Sequence, residues 1–220
     1  LLGFADWNDC MNLPLGAESS FNAGLYAKAL LEMMDICETL GDTKSVKMYK
    51  GWYEDIKKAF NDAAWDGKWW IRWFDKEGNA YGTHKAKYGK IYCNSQSWSV
   101  MSGIAYGERA IMGMDSLNKL LNTANGVKSS TPGYRGFDGR VGGISTYPPG
   151  AKENGGIFLH TNPWVMIAET ILGRGDKAFQ YYNQINPASK NAKLDEFESE
   201  PYCYPLNILG DEHKQFGMGR

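Results

Sequence analysis

At 220 residues and 24.6 kDa the chain is long enough to bury a core, as one large domain or two small ones. Its 24 Lys+Arg nearly balance 25 Asp+Glu, at a pI near 6.4. That balance argues against a sequence-independent nucleic-acid binder, a class that needs a basic excess to neutralise phosphates.

Four cysteines (Cys10, Cys37, Cys93, Cys203) lie far apart with no CxxC pair. Neither a zinc site nor a disulfide framework is indicated, and a reducing, cytoplasmic setting is expected. No apolar run approaches the ~20 residues that span a bilayer, and no signal peptide precedes the first motif. "LLGF" at the start has no initiator Met, and "QFGMGR" at the end has neither a helix cap nor a polar tail, so a piece of a longer protein is expected. Aromatic residues make up 14%, with Trp 8 and Tyr 13. Core packing accounts for most of them; the remainder suit carbohydrate, because sugar C–H faces pack on aromatic rings.

The first predicted helix covers residues 20–40, with apolar positions at Phe21, Leu25, Ala29, Met33, Ile36 and Leu40. Steps of three and four are helical spacing. Gly41 suits a left-handed helix end, and Asp42 or Thr43 can cap a second helix over 43–63, with Val46, Tyr49, Trp52, Ile56 and Phe60. The two read as an antiparallel hairpin. The run "WWIRWFDKEGNAYG" then reads as a short β-hairpin with a Gly-Asn turn. Helical spacing returns over 95–111, and another helix is predicted over 115–124, capped by Asp115 or Ser116. From 126 to 156 the signal disappears into a Gly/Pro/Tyr-rich loop, of a length that is usually functional or disordered; its aromatics and bulky apolar residues favour an ordered functional loop. A helix is predicted from Asn162 with Pro163 at its first position, and "LGRGD" turns into a last helix over "DKAFQYYNQI". Leu-Gly turns closed by Asp join helix pairs twice, with no fixed repeat period, which points to an α/α toroid with loops gathered on one side.

Three stretches can carry chemistry. In "DWND", Asp6 or Asp9 either caps a turn beside a core Trp7, or one of them is a general acid. Beside an indole and shielded from water, such a carboxyl would hold its proton toward neutral pH. In "YPPGAKENGGIFLH", the bland reading is an Asn-Gly turn and a satisfied helix-entry histidine. The functional one is a Lys152–Glu153 pair for sugar hydroxyls, with His160 a cationic or hydrogen-bond-donating imidazole that binds an anion at a helix start. "ESEPYCYPLNILGDEH" reads as an aromatic turn in which Tyr202 and Tyr204 pack rather than bind.

Taken together and in order, "ADWNDCMN", "NSQSWSVMSG", "YPPGAKENGGIFLHTNPWVMIAETILGRGD" and "EPYCYPLNILGDEH" resemble the inverting glycoside phosphorylases that act on cellobiose, cellodextrin, laminaribiose and chitobiose. The resemblance covers essentially the whole chain. It implies an all-α fold, part of an (α/α)6 barrel with long loops and a short β-hairpin, residues 1–220 being the second half of the catalytic domain. A β-sandwich domain, a helical linker and a small β-domain would complete the protein, normally as a homodimer. It further implies Asp9 as general acid, Trp7 lining the donor-sugar site, Tyr147, Lys152 and Glu153 contacting sugar hydroxyls, and His160 binding phosphate, with Asp6 and Asn8 shaping the turn.

The implied reaction needs no cofactor and no metal, only inorganic phosphate as co-substrate. An inverting hydrolase keeps two carboxylates ~6.5–9.5 Å apart, one of them to activate water; phosphate arrives already anionic and needs no base. A β-linked gluco-disaccharide or oligosaccharide thus gives an α-glucose 1-phosphate and a shortened sugar. Two departures stand out: Leu206 occupies a position where the family commonly has Gln, which bears on donor-site detail, and further phosphate ligands lie outside the segment, so the isolated segment is expected to be inactive. The competing readings are an inverting hydrolase with Asp9 as acid and Glu153 as base, and a non-catalytic helical carbohydrate-binding module.

Overall fold

The computed structural model describes residues 6–220; the opening "LLGF", read above as the start of an internal piece, lies outside them. Three helical hairpins follow one another: α1 (Ser20–Thr39) with α2 (Thr43–Ala63), α3 (Cys93–Met101) with α4 (Gly107–Leu121), and α5 (Thr161–Ile171) with α6 (Gly175–Ile185). Each pair packs on itself, and α3 packs on both α1 and α5, so the odd-numbered helices form a row of three. One apolar cluster runs through all six helices, including Leu30, Tyr53, Val100, Leu117, Val165 and Tyr181.

The predicted caps of the first hairpin are present: Gly41 has φ +73°, and the Asp42 carboxylate accepts from Ser45 N–H. The face of α1 differs from the expected one. Phe21 is buried, but Leu25, Ala29, Met33, Ile36 and Leu40 are exposed, and the buried stripe runs through Gly24, Ala27, Leu30 and Cys37. Apolar residues nearly encircle α1, so spacing alone does not choose a face. Gly24 does: a Cβ there would sit 3.1 Å from the Trp98 backbone, so α3 approaches along the small residues. On α2, likewise, Tyr53 takes the inner position and Trp52 is exposed; the Tyr53 hydroxyl donates to Ser102 O.

The helix expected over 95–111 is broken at 102–106, and the helix expected over 115–124 is instead the second half of α4. Hydroxyls of Ser97, Ser99 and Ser102 donate back to main-chain carbonyls of α3, and Gly103 leaves it with φ +70°. Asp115 caps nothing; it pairs with Arg174 and Lys177 beside α6. Helix α5 starts at Thr161, which puts Pro163 third rather than first, still within the turn whose N–H groups lack helical partners. The expected β-hairpin pairs Trp73–Phe74 with Ala80–Tyr81. The 126–156 segment is ordered, with short strands, a 3-10 turn (Gly143–Thr146) and the buried Asn154 amide, which bonds Tyr134 and Tyr147. Among the described residues no helix is long and apolar enough to cross a membrane.

Candidate active site

The DWND turn is anchored from below. Arg72 and Asp6 pair with their side chains 0% and 1% exposed. Arg72 Nη1 donates to Asp6 (3.1 Å) and Ser19 Oγ (2.9 Å), and Nη2 donates to Asp6 and to Asn8 Oδ1 (2.8 Å). Asp6 in turn accepts from Asn8 N–H and Ser19 Oγ–H. Burial alone would push the Asp6 carboxyl up, but the Arg72 charge and these hydrogen bonds hold it below its ordinary value. Asp6 and Asn8 therefore shape the turn, as expected, and Arg72 is the residue that the sequence reading missed. Its only signal was a lone cation in the aromatic run "WWIRWF". Downstream, Asn12 N–H bonds Val141 O, and Gly142 at φ +88° passes so close that a Cβ would lie 2.7 Å from Asn12 N.

Two clusters meet at this turn. In the first, carboxylate oxygens of Asp9 and Glu153 and the Cys10 sulfur lie within 4.8 Å of one another. Glu153 follows Lys152, whose backbone is left-handed (φ +48°) and whose Nζ sits 5.0 Å from the Tyr147 ring centre. Asp9 is exposed, contrary to the shielding expected of it: the turn that buries Asp6 aims Asp9 away from the core, and Glu153 takes the sheltered position. Burial, and then the Asp9 charge, push the Glu153 carboxyl up, and its Oε2 is buried without a partner. Burial together with Glu153 and Asp9 pushes the Cys10 thiol to about 12, which keeps it a neutral thiol.

In the second cluster the Trp7 indole N–H donates to His160 Nε2 at 2.7 Å. Phe158, His160 and Trp164 surround the indole at 5.3–5.8 Å between ring centres. Desolvation lowers the His160 pKa, and its Nε2 is an acceptor, so the ring is neutral with Nδ1–H left to donate. The cationic option is thereby set aside in favour of the donating one. The sequence-selected residues thus gather around Trp7–Asp9: Asp9 lies by Glu153, next to the Lys152–Tyr147 pair, and Trp7 lies by His160.

The third stretch behaves differently from expectation. Tyr202 and Tyr204 are exposed rather than packed, Tyr202 at φ +61° in a turn closed by Cys203 N–H to Glu200 O. Leu206 lines an apolar cavity of about 540 Å³ with Leu159, His160, Met166, Tyr182 and Tyr204.

With this geometry in place, comparison is decisive. The profile of the glycosyl hydrolase 94 superfamily catalytic domain matches residues 1–220. The chain belongs to that superfamily. This superfamily member is 36% identical to the N,N'-diacetylchitobiose phosphorylase of Vibrio proteolyticus over 97% of its own length and 27% of that protein. It is 33% identical to the 3-O-β-D-glucopyranosyl-β-D-glucuronide phosphorylase of Paenibacillus borealis (92% and 27%) and 31% identical to the solabiose phosphorylase of the same organism (96% and 28%). The chain therefore spans about a quarter of the length of these curated relatives. A glycosidase variant solved in complex with glucose shares the fold, with a TM-score of 0.63 at 11% identity over 98% of this chain and 47% of that one.

Proposed function

We propose that the whole protein cleaves a β-linked disaccharide or oligosaccharide by inverting phosphorolysis, giving an α-sugar 1-phosphate and a shortened sugar. Asp9 protonates the leaving glycosidic oxygen, while phosphate, held by the neutral His160 N–H and by ligands outside this segment, attacks the anomeric carbon from the opposite face. Trp7 lines the donor-sugar site; Tyr147, Lys152 and Glu153 bind sugar hydroxyls around the scissile bond, Glu153 reaching the donor side. The row of three hairpins supports an (α/α)6 barrel of which these residues form half. The isolated segment would then be inactive. A homodimeric whole protein belongs to the same reading, and the four free cysteines support a cytoplasmic one.

The observation that carries the proposal is the tight Asp9–Glu153 pair. Its oxygens lie within 4.8 Å of one another, closer than the ~6.5–9.5 Å between carboxyls at which an inverting hydrolase seats a water; a retaining hydrolase, at ~5–5.5 Å, is separated from phosphorolysis by the phosphate requirement tested below. For the sugar, we propose a cellobiose- or cellodextrin-like gluco-substrate, with N,N'-diacetylchitobiose as the competitor that the 36% identity favours. The test is to incubate the full-length protein with each disaccharide, with and without phosphate. Sugar phosphate formed only with phosphate, and lost in Asp9→Asn, supports phosphorolysis. Phosphate-independent release of reducing sugar supports hydrolysis instead, and sugar binding without turnover supports a binding module.

A further inference from the structure

Asn207 carries a carboxamide with neither end paired: it is 2% exposed, and both Oδ1 and Nδ2 lack partners among the described residues. A buried amide left so bears its full desolvation penalty. Its direction follows from the ladder in which Ile157 faces Ile208 and Phe158 faces Asn207. Successive side chains of a strand alternate between faces. Both isoleucines point into an apolar cluster with Leu159, Ile185 and Phe197. Phe158 and Asn207 therefore share the other face, and the Phe158 ring lies 5.3 Å from Trp7 and 5.6 Å from His160. On its other flank Asn207 Oδ1 rests against Gly156, where a Cβ would strike both it and Lys152 O. Asn207 is thus wedged between the aromatic cluster and the turn that carries Glu153, whose Oε2 is also buried and unpartnered.

We propose that Asn207 is a sugar-binding residue of this site, a reading that rests on the phosphorolysis proposed above. A carboxamide offers one acceptor and one donor, which matches a sugar hydroxyl or a vicinal pair that both donates and accepts. Phosphate, rich in acceptors, would leave Oδ1 unmatched. Leu206 alternates to the opposite face and supplies no such amide.

The test uses the full-length protein and whichever of cellobiose or N,N'-diacetylchitobiose it phosphorolyses, together with analogues lacking one donor-ring hydroxyl at a time. With wild type, at least one deoxy analogue should lose tenfold or more in kcat/KM. In Asn207→Leu the parent sugar should fall by a similar factor, and that analogue's penalty should shrink below threefold. Asn207→Asp, which is isosteric but lacks the donor end, carries the same comparison if the leucine variant does not fold. Deoxy penalties unchanged by either substitution would make Asn207 merely structural and overturn the proposal, while phosphorolysis itself stood. A wild type that forms no sugar phosphate from any disaccharide would instead remove the reading beneath it.

Discussion

The Asp6–Arg72 pair is the best place to test how the DWND turn is held. Arg72→Met keeps most of the side-chain volume but removes all four hydrogen bonds to Asp6, Ser19 and Asn8, leaving a carboxylate 1% exposed with no counter-charge. Breaking one side of such a pair costs roughly 3–5 kcal/mol, because the remaining charge stays buried. The sign with pH follows from the Asp6 carboxyl, which the pair holds below its ordinary value. That contribution is fully present above the unfolded carboxyl pKa of about 3.9 and is lost as pH falls through the lower folded value. The stability gap between wild type and Arg72→Met, read by urea unfolding with tryptophan fluorescence, should therefore be widest at neutral pH and narrow in acid. Adding Asp6→Asn should recover part of the loss, since no charge is then stranded. A gap that is flat with pH, or a double variant worse than the sum of the singles, would refute the argument.

Other outcomes follow from the same coordinates. Glu153 is pushed up by burial, so it costs stability once pH rises through its unfolded value of about 4.3; Glu153→Gln should be more stable than wild type at pH 7 but not below pH 4, while slowing turnover. Gly156→Ala would place a Cβ 2.6 Å from Lys152 O, so it should displace the Glu153 turn and abolish activity. Gly41→Ala has nothing within 4 Å and only a left-handed backbone to strain, so thermal melting should show a cost of about 1–2 kcal/mol with activity intact. His160→Asn retains an N–H donor and should keep more phosphate affinity than His160→Ala, in which KM for phosphate should rise about tenfold, one hydrogen bond of ~1–1.5 kcal/mol; equal effects in the two variants would count against a donating imidazole.

The helices were legible where caps and length agreed, as at Gly41–Asp42. Which face of a helix is buried was legible only where apolar residues form a single stripe. Around α1 they do not, and the choice falls to Gly24 against Trp98, a contact 74 positions away in sequence that no local pattern encodes. The 102–106 break was hidden because serine hydroxyls close α3 through their own backbone bonds, while the apolar spacing runs on past the break. In the site, residue types that suit the chemistry were visible in "DWND" and "KENGG", but burial was not: Asp9, expected to be shielded, is exposed.

That exposure follows from how a turn divides its residues. Asp6 and Asp9 stand on either side of Trp7–Asn8, and one anchor is enough to hold the turn. Arg72 reaches Asp6 and Asn8, so Asp6 is consumed as a partnered structural carboxylate, and Asp9 is released toward the surface, where Cys10 and Glu153 approach it. The opposing turn is built the same way. The Asn154 amide is bonded to Tyr134 and Tyr147, and two residues earlier the left-handed Lys152 precedes Glu153. In both turns the hydrogen-bonded neighbour carries the fold, and the residue left short of partners among the described residues, Asp9 or Glu153, is the one that the proposed reaction uses. Rigidity and chemical availability are therefore assigned to different residues only one to three positions apart, which is why Asp6→Asn should act on stability and Asp9→Asn on turnover.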